Sequence, residues 1–176
     1  MKKIIIIILI VISALGLGLL LFLQDQKSSK YTVRDMSSNM PQVGQEIPVS
    51  GRDHTKDVNA KVEYNSNPPT SGTHFEYPEQ WGVFNSPQPD VKMVHNLEHG
   101  GIWISYKDID DQTRQQLETI AKANPGSVIM TPRPANDVKI ALASWGRLEK
   151  LDKYDEVKIL EFIKANKNKS PEQLAR

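Results

Sequence analysis

The sequence predicts an α+β fold in which an N-terminal transmembrane helix precedes one small domain with a mostly antiparallel sheet and two helices. Three observations lead there. Residues 4–23 are twenty consecutive positions without a charge. Further on, short β-branched or aromatic runs and amphipathic helical patterns follow one another as strand, helix, strand, strand, helix, an order that suits one sheet with its helices packed on one face. Between the anchor and that pattern lies a run too rich in proline and glycine to be regular structure.

The N-terminal stretch follows Lys2 and Lys3. At about 1.5 Å per residue it spans roughly 30 Å, the thickness of a bilayer's hydrocarbon core. A cleaved signal peptide has an apolar region of only about 7–15 residues, and the sequence LFLQDQ at 21–26 lacks a small-x-small cleavage signal. We therefore expect an uncleaved single-pass anchor with the bilayer as its partner. The two lysines stay cytoplasmic by the positive-inside rule, which places the chain beyond the anchor outside the membrane. The expected organisation is a cytoplasmic N-terminus at 1–3, a transmembrane anchor at 4–23, an extracytoplasmic tether at 24–43 and a single extracytoplasmic α+β domain at 44–176.

Within the domain, residues 43–49 (VGQEIPV) suit a short edge strand, where a proline is tolerated. Residues 51–54 read as a turn, and 61–64 (KVEY) alternate as a strand does. Residues 65–89 hold five prolines and two glycines, and so long a loop in a compact domain is more often functional than filler. Residues 101–106 are β-branched and aromatic, a strand. Asp108 or Asp110 can cap a helix running to about Ala123, with Leu117, Ile120 and Ala121 on its apolar face and Asn124, Pro125 and Gly126 as its stop. Strands follow at 127–131 and 139–145, the latter with Ile140, Leu142 and Ser144 on one face and Gly146 at its end. Asp152 caps the last helix, to about Ala165, with Val157, Leu160 and Ile163 as its buried stripe, widened by Ile159 and Phe162.

Composition excludes several functions. The 22 Lys and Arg nearly balance 21 Asp and Glu, so nothing favours nucleic acid as a partner. The absence of cysteine rules out disulfides, thiolate metal ligands and a Cys nucleophile. There is no Gly-x-Ser-x-Gly and no phosphate-cradling glycine pattern.

Three of the four histidines fall between residues 64 and 106. Residues 95–99 (HNLEH) match the H-x-x-E-H pattern of inverted zinc peptidases, a chemistry that needs a helix to bring both imidazoles to one ion. Gly100 and Gly101 follow at once and a β-rich run comes next, so the segment reads as extended. His95 and His99 would then stand about 13 Å apart. In an extended segment Met93 and His95 share a face, and a thioether with imidazoles suits a soft ion such as Cu(I). His74 and His54 are the loop donors, with Met130 a weaker candidate. Glu98 can orient an imidazole, act as a general base or cap backbone N–H groups near Gly100. The plain alternative is that the histidines are hydrogen-bonding posts and Met93 is core.

The motifs YNSNPPTSGTH at 64–74, WGVF at 81–84, VHNLEHGG at 94–101, ASWGR at 143–147 and SPE at 170–172 together resemble the bacterial family known as domain of unknown function 3105. The resemblance runs from about residue 44 to 172. It implies an N-terminal membrane segment with an exported domain, and some relatives are connected with extracytoplasmic copper handling. His54, His74, His95 and His99 all match the family's histidine motifs. The expected function is accordingly a membrane-anchored extracytoplasmic metal-binding module, with His95, His99, His74, His54 and Met93 as ligands and copper as the ion, or zinc in its place. It would serve a metal-transfer or envelope protein partner. Two alternatives stand beside it: a metal-dependent hydrolase with Glu98 as base, and a metal-free cell-envelope interaction domain.

Overall fold

The computed structural model describes Gly16 and residues 40–176. The expected cytoplasmic tip, the anchor apart from Gly16, and the tether up to residue 39 lie outside the described residues. Among the described residues no helix is long and apolar enough to cross a membrane.

Among residues 40–176 eight strands and three helices follow one another: β1 Gln45–Glu46, β2 His54–Thr55, β3 His74–Phe75, β4 Gly82–Val83, α1 Asp90–Glu98, β5 Ile102–Tyr106, α2 Asp111–Lys122, β6 Val128–Pro132, β7 Ile140–Ser144, β8 Arg147–Leu151 and α3 Glu156–Asn166. Six of the strands form one sheet in the order β1-β8-β7-β5-β6-β4, and β2 and β3 form a separate pair. Three pairings in the large sheet are antiparallel (β1 with β8, β8 with β7, β7 with β5), so the predicted α+β domain with a mostly antiparallel sheet is what forms. The β5–β6 and β4–β6 pairings are parallel. Both edge strands, β1 and β4, are two residues long, which leaves little unpaired backbone to recruit another chain.

The sheet is buried on both faces. Side chains alternate along a strand, and Ile102, Ile104, Val128, Met130, Ile140 and Leu142 point into a core shared with Leu117 and Ile120 of α2 and Ile159, Phe162 and Ile163 of α3. Both expected helices thus cover one face. On the other face Trp103, Ile129, Ala141 and Ala143 pack with Met93, Val94 and Leu97 of α1. At roughly 1.5–3 kcal/mol for each large side chain fully buried, these three α1 residues, all at 0% exposure, hold the helix firmly to the sheet.

Four expectations need correction. The segment around residues 90–99 is helical. Its apolar residues Val91, Val94 and Leu97 recur at helical spacing. The two glycines that suggest an extended segment are instead the helix's C-terminal cap: Gly100 N–H donates to the Leu97 carbonyl at 3.0 Å and Gly101 N–H to the Asn96 carbonyl at 2.9 Å, the paired bonds of a Schellman motif. Gly100 takes φ +88°, as that motif requires. Second, residues 61–64 are not a strand; the Tyr64 ring joins the α1 core and its hydroxyl donates to the Thr73 carbonyl. Third, β8 follows Gly146 directly. It escapes a period-2 search because Leu148 faces the α1 core while Leu151 faces the other. Fourth, α3 is capped by Asp155, which accepts from Lys158 N–H, instead of Asp152, and Val157 at 74% exposure is outside the buried stripe.

Candidate metal centre

Three pieces of backbone deliver the candidate donors. The first two are β2 and β3, which run parallel with His54 opposite His74. Their ladder is closed by Gly72, His74 and Glu76 N–H donating to the carbonyls of Gly51, Asp53 and Thr55 at 2.9–3.1 Å. The long loop is therefore not loose where it carries His74. Ser50 N–H donates to Ser71 Oγ at 3.0 Å and fixes it further. The third piece is α1, where His95 and Glu98 are three residues apart and so share a helical face. The Asn96 side chain pins the loop to this helix, donating to the Glu79 carbonyl and accepting from Glu79 N–H.

One ligand atom each from His54, His74, His95 and Glu98 lies within 4.8 Å of every other. His74 Nε2 is 3.0 Å from Glu98 Oε2 and 3.2 Å from His54 Nε2. Donors bound tetrahedrally at about 2.0–2.1 Å stand about 3.3 Å apart, so these spacings are already close to those of a shared ion. His74 is fully buried, Glu98 is 2% exposed, and His54 at 49% exposure is the member that meets solvent. The Trp145 ring lies edge-on to His74 and walls the cluster on its apolar side.

The tautomers favour ligation. A backbone carbonyl only accepts, so the 2.8 Å contact of His74 Nδ1 with the Gly72 carbonyl and the 2.6 Å contact of His95 Nδ1 with the Phe75 carbonyl place a proton on each Nδ1. In the neutral ring the Nε2 lone pair then points into the cluster, the arrangement that outer hydrogen bonds impose on metal-binding imidazoles. Burial pushes the His95 pKa down, and the nearby His99, His74 and His54 rings push the same way, against the bond to Phe75. The lowered pKa favours the neutral ring, whose Nε2 can donate a lone pair. Glu98 adds an acidic donor: among the ion pairs of the described residues its buried side chain is contacted only by histidines, and an ionised carboxylate is costly to bury unless a cation such as a metal ion pairs with it.

Of the expected ligands, His54, His74 and His95 come together. His99, the C-cap residue of α1, stands just outside, its Nε2 3.1 Å from His95 Nε2 and 3.1 Å from Glu172 Oε2. Met93 does not join them: it is fully buried in the core between α1 and the sheet, and Met130 lies in the opposite core. Because the segment is helical, Met93 and His95 are two residues and about 200° apart, on different faces. Glu98, expected to orient an imidazole, act as a base or cap backbone N–H groups, stands among the donors themselves, as its i, i+3 relation to His95 allows once a helix is granted. One participant was not anticipated. Glu172 has no local signal beyond its place in the closing SPE motif.

A small α+β domain with a buried His/Glu cluster able to hold a metal ion is thus the class that fold and site define. Residues 54–176 match the family model described as a protein of unknown function (DUF3105), and the chain belongs to that family. No curated protein and no solved structure matches it.

Proposed function

We propose that this domain is a metal-holding module, carried outside a membrane by the anchor at 4–23, that retains a divalent transition-metal ion on His54, His74, His95 and Glu98. The observation that carries this is the convergence of four donors from three separate backbone segments, three of them buried. The donor set is three imidazoles and a carboxylate, with no thiolate and no thioether. That set suits Cu2+ or Zn2+ better than Cu+, and the general order of divalent affinities favours copper. Four protein donors also suit holding an ion more than turning over substrate, since catalytic sites ordinarily keep a position for water. Of the four donors, His54 is the one that meets solvent.

The test is metal content. The full chain, purified in detergent and stripped of metal, would be dialysed against Cu2+ and Zn2+ together and subjected to elemental analysis. One ion per chain, mostly copper, is expected for the single cluster. A content far below one, unchanged by His95→Ala, would sink the proposal. Protease added to intact cells should reach the domain if the anchor is oriented as proposed.

A second reading has one observation in its favour: His95, Glu98 and His99 do lie on and at the end of a helix, as the H-x-x-E-H chemistry requires. A hydrolase would use Glu98 as a base beside the ion. Its position against His74, inside the donor set, favours a ligand role instead.

A further inference from the structure

Building on the metal-holding reading, we infer that His99 and Glu172 form an exchange station through which a divalent transition-metal ion enters and leaves the buried cluster, passed on by way of His95. Four observations converge. His95 Nε2 belongs to the inner donor set and also lies 3.1 Å from His99 Nε2, so one atom is common to both groups. His99 Nε2 is in turn 3.1 Å from the Glu172 carboxylate, which makes imidazole, imidazole and carboxylate a chain of donors at spacings near the roughly 3.3 Å of neighbours on one ion. Exposure is graded along that chain: Glu172 is 45% exposed, His99 20%, and His74 and Glu98 are buried. The station also has a fixed frame. Glu172 N–H donates to the Glu98 carbonyl at 3.1 Å and Leu174 N–H to the His99 carbonyl at 3.0 Å, so the C-terminal segment is bonded to the end of α1. That helix end carries the negative pole of its dipole and draws a cation.

These features make stepwise exchange possible. An ion first held by Glu172 and His99 gains His95, then sheds the outer donors as His74, His54 and Glu98 take it. It is never without protein ligands, which is what lowers the barrier to moving a strongly hydrated ion into a dry site. His54 also meets solvent, but it is a retaining donor, and its loss would lower affinity along with any change in rate. His99 and Glu172 act on the path, and a path lowers the barrier equally in both directions.

Zn2+ serves as a redox-silent probe. The full chain in detergent, as wild type, Glu172→Gln and His99→Gln, would be loaded with Zn2+, and transfer to a colorimetric zinc chelator followed by stopped flow. We expect each variant to hold one ion per chain with its Kd unchanged, while loading and release both slow by the same factor. Glu172→Gln keeps the backbone bonds and so separates exchange from folding. Rates equal to wild type in a Zn2+-binding protein would overturn the station alone. A fall in the stoichiometry of either variant would also overturn it, by making these residues retaining donors. If the wild type takes up neither Zn2+ nor Cu2+, the metal-holding reading fails and the station falls with it.

Discussion

Replacing Glu98 by Gln separates the roles open to this carboxylate, because the amide keeps the shape and loses the charge. A structural zinc site contributes roughly 12 kcal/mol at neutral pH. Shared over the four donors, that is about 3 kcal/mol each, or roughly 150-fold in Kd. With free Zn2+ at about 1,000 times the wild-type Kd, binding stabilises the wild type by about 4 kcal/mol, and the same concentration stabilises the variant by only about 1.2. The difference of about 3 kcal/mol corresponds to roughly 10 °C in Tm for a domain of this size. Without metal the ordering should not favour the wild type in the same way, because the amide removes a buried charge that the apo protein must otherwise match. The assay is thermal unfolding of wild type and Glu98→Gln with and without Zn2+, read by tryptophan fluorescence, since Trp103 and Trp145 are both buried. An equal Zn2+-induced rise in Tm for both proteins would refute the ligand role. Retained Zn2+ binding with loss of a hydrolytic activity would assign Glu98 as a base.

Two further substitutions probe the frame of the site. Met93→Leu conserves volume in a fully buried position and should change stability by less than about 1.5 kcal/mol and metal content not at all, whereas a thioether ligand would show as weakened copper binding; denaturant titration and elemental analysis decide it. Gly100→Ala should destabilise by about 1–2 kcal/mol from its positive φ alone. The new Cβ would also stand 3.0 Å from Asn168 Cα and run into its side-chain oxygen, which accepts from Ala175 N–H, so the C-terminal segment should loosen and show faster hydrogen exchange at Leu174.

The central strand β5 and the helix α2 could be read from the sequence because each is locally self-consistent. Ile102–Tyr106 is β-branched and aromatic, and α2 is capped by Asp110, one of the two candidates the sequence offers, accepting from Thr113 N–H at 2.6 Å. The helix α1 is hidden for a physical reason: Gly100 and Gly101 end a helix as readily as they interrupt one, and only the spacing of Val91, Val94 and Leu97 tells the two apart. The histidines were identifiable as candidates, but their grouping was not. The β2–β3 pairing is two residues long and parallel, joining segments twenty residues apart with no periodic signal. Met93 shows how one error produces another. Read on a strand it shares a face with His95, and read on a helix it belongs to the core, so the expected thioether ligand depended on a secondary structure that does not form. Glu172 reaches His99 through contacts distant in sequence, which no local pattern encodes.

The short β2–β3 ladder also sets which changes of chain length the site tolerates. Because side chains alternate along a strand, a slip of one residue in either would turn His54 or His74 to the opposite face and remove it from the cluster. Residues 56–63, none of which is buried, are under no such restriction, since the entropy of closing a loop grows only slowly with its length. Insertions of several residues between Thr55 and Tyr64 should therefore leave the donor geometry intact, while deleting a single residue next to His54 or His74 should abolish it.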